Sequence, residues 1–118
     1  MALKIGREPV YVFPCDIKWP NERIPGQFVS TRVNVTFRAL ELSASRAMLD
    51  KAAADGSHDL DKQILRDVIV NWDEGFEEPF GPEILEVALD NPWIKSGLMD
   101  GYKKSVSGEA VQTFKRKN

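Results

Sequence analysis

Ser57, His58 and Asp59 bring together the three side-chain types of a hydrolytic triad, but as immediate neighbours. A working triad holds hydroxyl, imidazole and carboxylate in one hydrogen-bonded line, and natural examples draw them from separated segments. Adjacent residues do not supply that line, so the run reads as a helix-capping turn. His58 with Asp59 and Asp61 is likewise a thin metal set. With one histidine and one distant cysteine, Cys15, carboxylates would have to provide most ligands of a structural zinc site, which is uncommon.

A second concentration of chemistry lies at 73–81, where Asp73, Glu74, Glu77 and Glu78 surround Gly75, Phe76, Pro79 and Phe80. Close carboxylates suit calcium or paired acid–base work. This loop lacks the alternating oxygen ligands and closing Glu of a calcium loop, and nothing in it marks one carboxylate for a raised pKa. It reads as a solvated loop between helices, and its phenylalanines carry more information than its charges. Trp72, Phe76, Phe80 and Trp93 together can build an aromatic surface for a partner, although aromatics at regular spacing normally supply burial first. No phosphate-binding glycine loop, dinucleotide fingerprint or nucleophile elbow occurs. The expectation is a protein with no catalytic residue, metal or cofactor.

The elements that position these residues follow from periodicity. Between Phe28 and Arg38, Val29, Thr31, Val33, Val35 and Phe37 alternate with Ser30, Arg32, Asn34, Thr36 and Arg38, the pattern of a half-buried strand. Val10 to Trp19 is also β-rich, and Pro14 divides it into two short pieces on a sheet edge. The turn formers between Pro20 and Gly26 are too few for a parallel crossover, so an antiparallel hairpin is expected.

After Leu42 the period becomes helical. Ser43 can cap a first helix with Ala44, Ala47, Met48 and Ala52 inward, ended by Asp55 and Gly56. A second begins near Asp59 and carries Leu60, Ile64, Leu65, Val68 and Trp72 on one stripe. Pro82 opens a third, with Ile84, Leu85, Ala88 and Leu89 inward, and Asn91 and Pro92 open a fourth. In the fourth, Gly97, Gly101 and Ser105 form a small-residue strip beside Trp93, Leu98 and Tyr102. That strip suits close packing, either against another helix or against a neighbour within the same subunit. Gly108 stops the helix, and 109–118 reads as a loosely held basic tail. The expected fold class is α+β: one domain over 1–118, with a hairpin or small sheet (8–40) packed on about four helices (43–107).

Composition excludes several function classes. A chain of 118 residues with 42% apolar content can bury roughly two-thirds of its unfolded surface without staples. One cysteine allows no internal disulfide, and neither a leader nor a run of about 18 apolar residues is visible. A soluble protein of a reducing cytoplasm is expected. Sixteen basic against eighteen acidic residues leave a net charge of −2, whereas duplex binders commonly neutralise about 6–10 phosphates. Lys115, Arg116 and Lys117 fall short of that number, so neither nucleic acid nor membrane is expected as a partner.

Several landmarks, taken in order, resemble one family. Val35-Thr36-Phe37-Arg38 ends an extended segment, and Leu65-Arg66-Asp67-Val68-Ile69-Val70-Asn71-Trp72 is similar to a leucine-rich run into a tryptophan. An acidic loop with a glycine precedes Pro79-Phe80-Gly81-Pro82-Glu83, and Asn91-Pro92-Trp93 opens a helix containing Tyr102 before a Lys-Asn end. From Val10 onward this order resembles the tail assembly chaperones of siphophages and prophages. It departs from the pattern at Gly81, where a capping Ser or Thr is usual.

The resemblance implies a non-enzymatic protein that binds the tape measure protein in the host bacterial cytoplasm, as a homo-oligomer or in many copies. It would keep that protein soluble until tail tube subunits polymerise around it, and would be absent from the mature virion. Trp93, Leu98, Tyr102, Phe76 and Phe80 are the candidate partner-binding residues. The alternative is a structural virion protein, a tail-completion or head–tail joining subunit, which mass spectrometry of purified particles would reveal. A small enzyme or nucleic-acid factor is the remaining rival, separable by chelator and salt dependence.

Overall fold

A computed structural model of the chain describes residues 9–38 and 60–108. Strand β1 (Val10–Pro20) and strand β2 (Phe28–Arg38) form the expected antiparallel hairpin, paired from Val10 opposite Arg38 to Pro20 opposite Phe28. Helix α1 (Leu60–Val68), strand β3 (Ile69–Trp72), helix α2 (Pro82–Leu89) and helix α3 (Pro92–Ser107) follow. The sheet has three strands in the order β1-β2-β3, all antiparallel, which together with the helices makes an α+β domain. Three helices stand among the described residues, not about four; the helix expected from Ser43 falls outside them.

Two expectations are corrected. Pro14 does not divide β1, which runs unbroken through it. Pro14 lies opposite Asn34, whose backbone N–H and C=O both turn to Asp73 on the β3 side, at 3.1 Å each. The two residues of an antiparallel pair point their peptide groups the same way relative to the gap between them, so the N–H that proline lacks would have faced the outer edge. No ladder bond is lost.

The stripe read as a helix through Trp72 stops at Val68, and Ile69–Trp72 is a strand. Val68, Ile69 and Val70 are three consecutive β-branched residues, a poor helix interior and a good strand, and the open edge of β2 supplies the partner. Ile69 pairs with Phe37 but Asn71 with Thr36, so Val70 is an extra residue that bulges outward, while Ile69 and Trp72 both stay buried.

Helix α3 lies along β1. Trp93 meets Trp19, Gly97 sits on Ile17 and Gly101 on Cys15. Four residues advance a helix about 6 Å and two residues advance a strand nearly 7 Å, so every fourth helix position meets every second strand position. One step further on, the long side chain of Tyr11 reaches Ser105, with 2.8 Å between the hydroxyl oxygens. The small-residue strip therefore packs within the subunit, against a strand. Asn91 caps α3 by accepting from the N–H groups of Trp93 (3.0 Å) and Ile94 (3.1 Å), and Gly108 ends it at φ 78°.

The core between sheet and helices includes Cys15, Val33, Val35, Phe37, Leu65, Leu89 and Leu98. Burial pushes the Cys15 thiol up to about 12, with Asp16 and Asp100 adding to it, so almost no thiolate exists at neutral pH. Native protein is accordingly expected to resist an aromatic disulfide reagent and to titrate one thiol per chain in denaturant. Rapid labelling of the native state would show that the seam between α3 and β1 opens.

Candidate partner-binding surface

The five candidate residues separate into two groups. Leu98 is fully buried and Tyr102 is 8% exposed, its ring 5.5 Å from that of Phe37. Both are core side chains and leave the candidate surface: the α3 stripe that carries them turns into the core, beside the glycine stripe that rests on β1.

Phe76 and Phe80 are half-buried and clasp Trp72 edge-on, with ring centroids at 4.8 and 5.0 Å. The indole N–H of Trp72 donates to the Glu78 carbonyl at 2.8 Å, so the loop is folded back onto the tryptophan. These contacts make the phenylalanines anchors first. Gly75 lets the loop close: a Cβ there would stand 2.9 Å from the Arg32 carbonyl oxygen and from the Val33 Cα. Asp73 fixes the loop's entry by accepting from the N–H groups of Gly75 and Asn34 and from the Asn34 amide. The Gly75 bond, ahead of those to Asn34, holds the Asp73 carboxyl below its ordinary range.

Trp93 remains at the surface, and the structure adds neighbours to it. The hairpin projects past the core, so that Trp19 (37% exposed), Phe28 (57%), Val29 (51%) and Trp93 (40%) cluster at one end of the sheet. Trp19 and Trp93 stand 5.6 Å apart, and Trp19 lies opposite Val29 in the ladder. An open groove of about 510 Å³ is lined by Phe28, Trp93, Ser96 and Gly97 together with the charged Lys18 and Asp100. A smaller cleft of about 170 Å³ is lined by Trp19, Thr31, Phe76 and Ile94. Phe76 thus serves this surface as well as its anchor.

Sequence reasoning missed Trp19 and Phe28. Phe28 had a signal: it falls in register with Ser30, Arg32 and Asn34, on the face of β2 that is otherwise polar. A bulky apolar residue there is unexplained by core packing.

Two bidentate ion pairs act as braces. Arg32 grips Asp16 directly across the hairpin through two nitrogens (2.9 and 3.3 Å), and Arg66 grips Glu86 (2.6 and 2.8 Å), tying α1 to α2. Each guanidinium holds its carboxylate partner below the usual range. Such exposed pairs contribute little stability individually. Among the described residues no polar or charged side chain is buried in the core, and no group of three or more His, Cys, Asp or Glu could hold a metal ion. Ser57, His58 and Asp59 lie outside the described residues.

The arrangement defines a small α+β domain with an aromatic, grooved end. No protein-family model, curated protein or solved structure matches the chain. No described helix is long and apolar enough to cross a membrane.

Proposed function

We propose that this chain is a non-enzymatic assembly chaperone that captures the tape measure protein of a long-tailed phage and holds it ready for the tail tube. The observation that carries the protein-binding part is an open groove lined by the exposed Phe28 and Trp93, with the exposed Trp19 packed near Trp93 and Val29 opposite Trp19 in the ladder. Clustered aromatics rimmed by single charges are the composition of a protein-binding patch. The partner's identity rests on the ordered sequence landmarks that resemble tail assembly chaperones.

The physical task suits the site. A long helical tape exposes apolar stripes that would aggregate, and a groove with aromatic walls can cover one such stripe while Lys18 and Asp100 orient it. Many weak sites along one tape then act together through multivalency, as an oligomer or a string of copies.

Phe28→Ser and Trp93→Ala test this reading. Phe28 sits outside the core, and Trp93 contributes mainly its ring contact with Trp19, so the stability cost should stay near about 1 kcal/mol. A hot-spot aromatic is worth about 2 kcal/mol or more in binding, so each change should weaken capture of the tape measure protein roughly 30-fold. Unchanged capture by both variants would remove this surface from the account.

A further inference from the structure

The two long edges of the hairpin are built differently. Pro14 and Pro20 both occupy positions where a β1 N–H would point away from β2, since Pro14 is opposite Asn34 and Pro20 opposite Phe28 in one unbroken register. Proline on an outer edge removes the donors that another strand would use. The edge of β1 is thereby blunted.

The outer edge of β2 carries no such device. Strand β3 covers it from Val35 to Phe37, Asp73 extends the cover to Asn34, and Gly75 closes over the Arg32 carbonyl. Beyond that point 28–31 is exposed. Asn34 turns its peptide groups away from β1, and the two-residue alternation turns those of Phe28 and Ser30 the same way. Among the described residues no strand pairs with them on that side.

Beside this edge lies the small apolar cleft between Trp19, Thr31 and Phe76. At about 170 Å³ it is below the roughly 300–1,000 Å³ of small-molecule pockets and suits one bulky apolar side chain. Where the edge ends, the loop presents Glu74, next to Gly75, and then Glu77 and Glu78, all exposed.

We infer that 28–31 receives an extended segment of a partner protein by strand addition, with one large apolar side chain in the cleft and a basic residue toward the acidic loop. Main-chain bonds to Phe28 and Ser30 would hold the segment, the cleft would select its side chain, and Glu74 would set its charge. A second copy of this chain is the wrong shape for the place. In a two-fold antiparallel pairing of β2 edges, its hairpin tip at 21–27 would run on toward the space held by Asp73 and Gly75, whereas a flexible segment can leave the sheet there. The inference concerns a second contact, separate from the groove that would cover a helical stripe, and stands without the identity of the protein that supplies the segment.

The probe is a capped heptapeptide of alternating valine and threonine with a central phenylalanine and a lysine at each end. It is compared with the same peptide N-methylated at alternate residues. In the free protein the Phe28 and Ser30 amides should exchange with solvent faster than those of Val29 and Thr31, which face β1. The unmethylated peptide should slow exchange at Ser30 and shift the Trp19 and Phe76 ring signals, while N-methylation weakens binding at least about tenfold. Ser30→Pro removes the outward N–H, leaves the β1 ladder in place, and should weaken binding about as much. Equal binding of both peptides to the wild-type chain, or no binding of either, overturns the inference. So does protection of Ser30 in the free chain, including protection that grows with protein concentration, which would mean self-pairing.

Discussion

Gly101→Ala is expected to destabilise the domain by about 1–3 kcal/mol, even though alanine is the better helix former by about 1 kcal/mol. The new Cβ would overlap the Cys15 sulfur and stand 3.2 Å from its Cβ, in a seam where both partners are buried. Most of that overlap belongs to one atom, which makes the prediction separable from a general intolerance of the helix. Cys15→Ala removes the sulfur and by itself leaves a small void. The double variant should therefore be more stable than Gly101→Ala alone, with a coupling of about 1 kcal/mol or more in urea titrations. Additive losses would mean that Gly101 does not rest on Cys15, and the matching of α3 to β1 would have to be redrawn.

Leu98→Ala is expected to have the largest effect of any single truncation in α3. Leu98 is fully buried between the helices and the sheet, and emptying such a site costs about 2–5 kcal/mol against a usual total of roughly 5–15 kcal/mol. For a chain of this size the melting temperature should fall on the order of 10–20 °C. Partner capture by the fraction still folded should be unaltered. The contrast with Trp93 is the point: the two residues lie five apart on one helix, and one should govern stability while the other governs binding. Loss of capture by Leu98→Ala at unchanged melting temperature would put Leu98 back on a partner face.

The parts of this fold that were legible in the sequence are those where a local pattern decides the outcome. The alternation from Val29 to Phe37, the turn formers between Pro20 and Gly26, and the Asn91-Pro92 and Pro82 starts each specify an element through nearby residues. What failed depended on partners distant in sequence. The stripe ending at Trp72 satisfies a helical period as well as it satisfies a strand, and the free edge of β2 decided for the strand. Pro14 breaks a strand unless its missing N–H faces outward, which is a fact about register with Asn34.

The site was half legible for the same reason. Trp93 and Phe76 do reach the aromatic end, but helical spacing alone does not say which of two adjacent stripes on α3 turns inward. The glycines answer that once β1 is beside them: Gly97 and Gly101 allow close approach, which carries Leu98 and Tyr102 into the core and leaves Trp93 at the rim. Val29 reads as core because it alternates correctly with Val33, Val35 and Phe37. It and Trp19 are exposed because the hairpin outruns the helices that would cover it.

The central claim is that this chain holds a tape measure protein in solution, and co-expression tests it most directly. The chain is produced together with a long-tailed phage tape measure protein, and the soluble fraction is sized by chromatography with light scattering. A soluble complex of one tape with several copies of this chain is expected, lost when Phe28→Ser and Trp93→Ala are combined. A tape that stays insoluble while this chain elutes alone would contradict it.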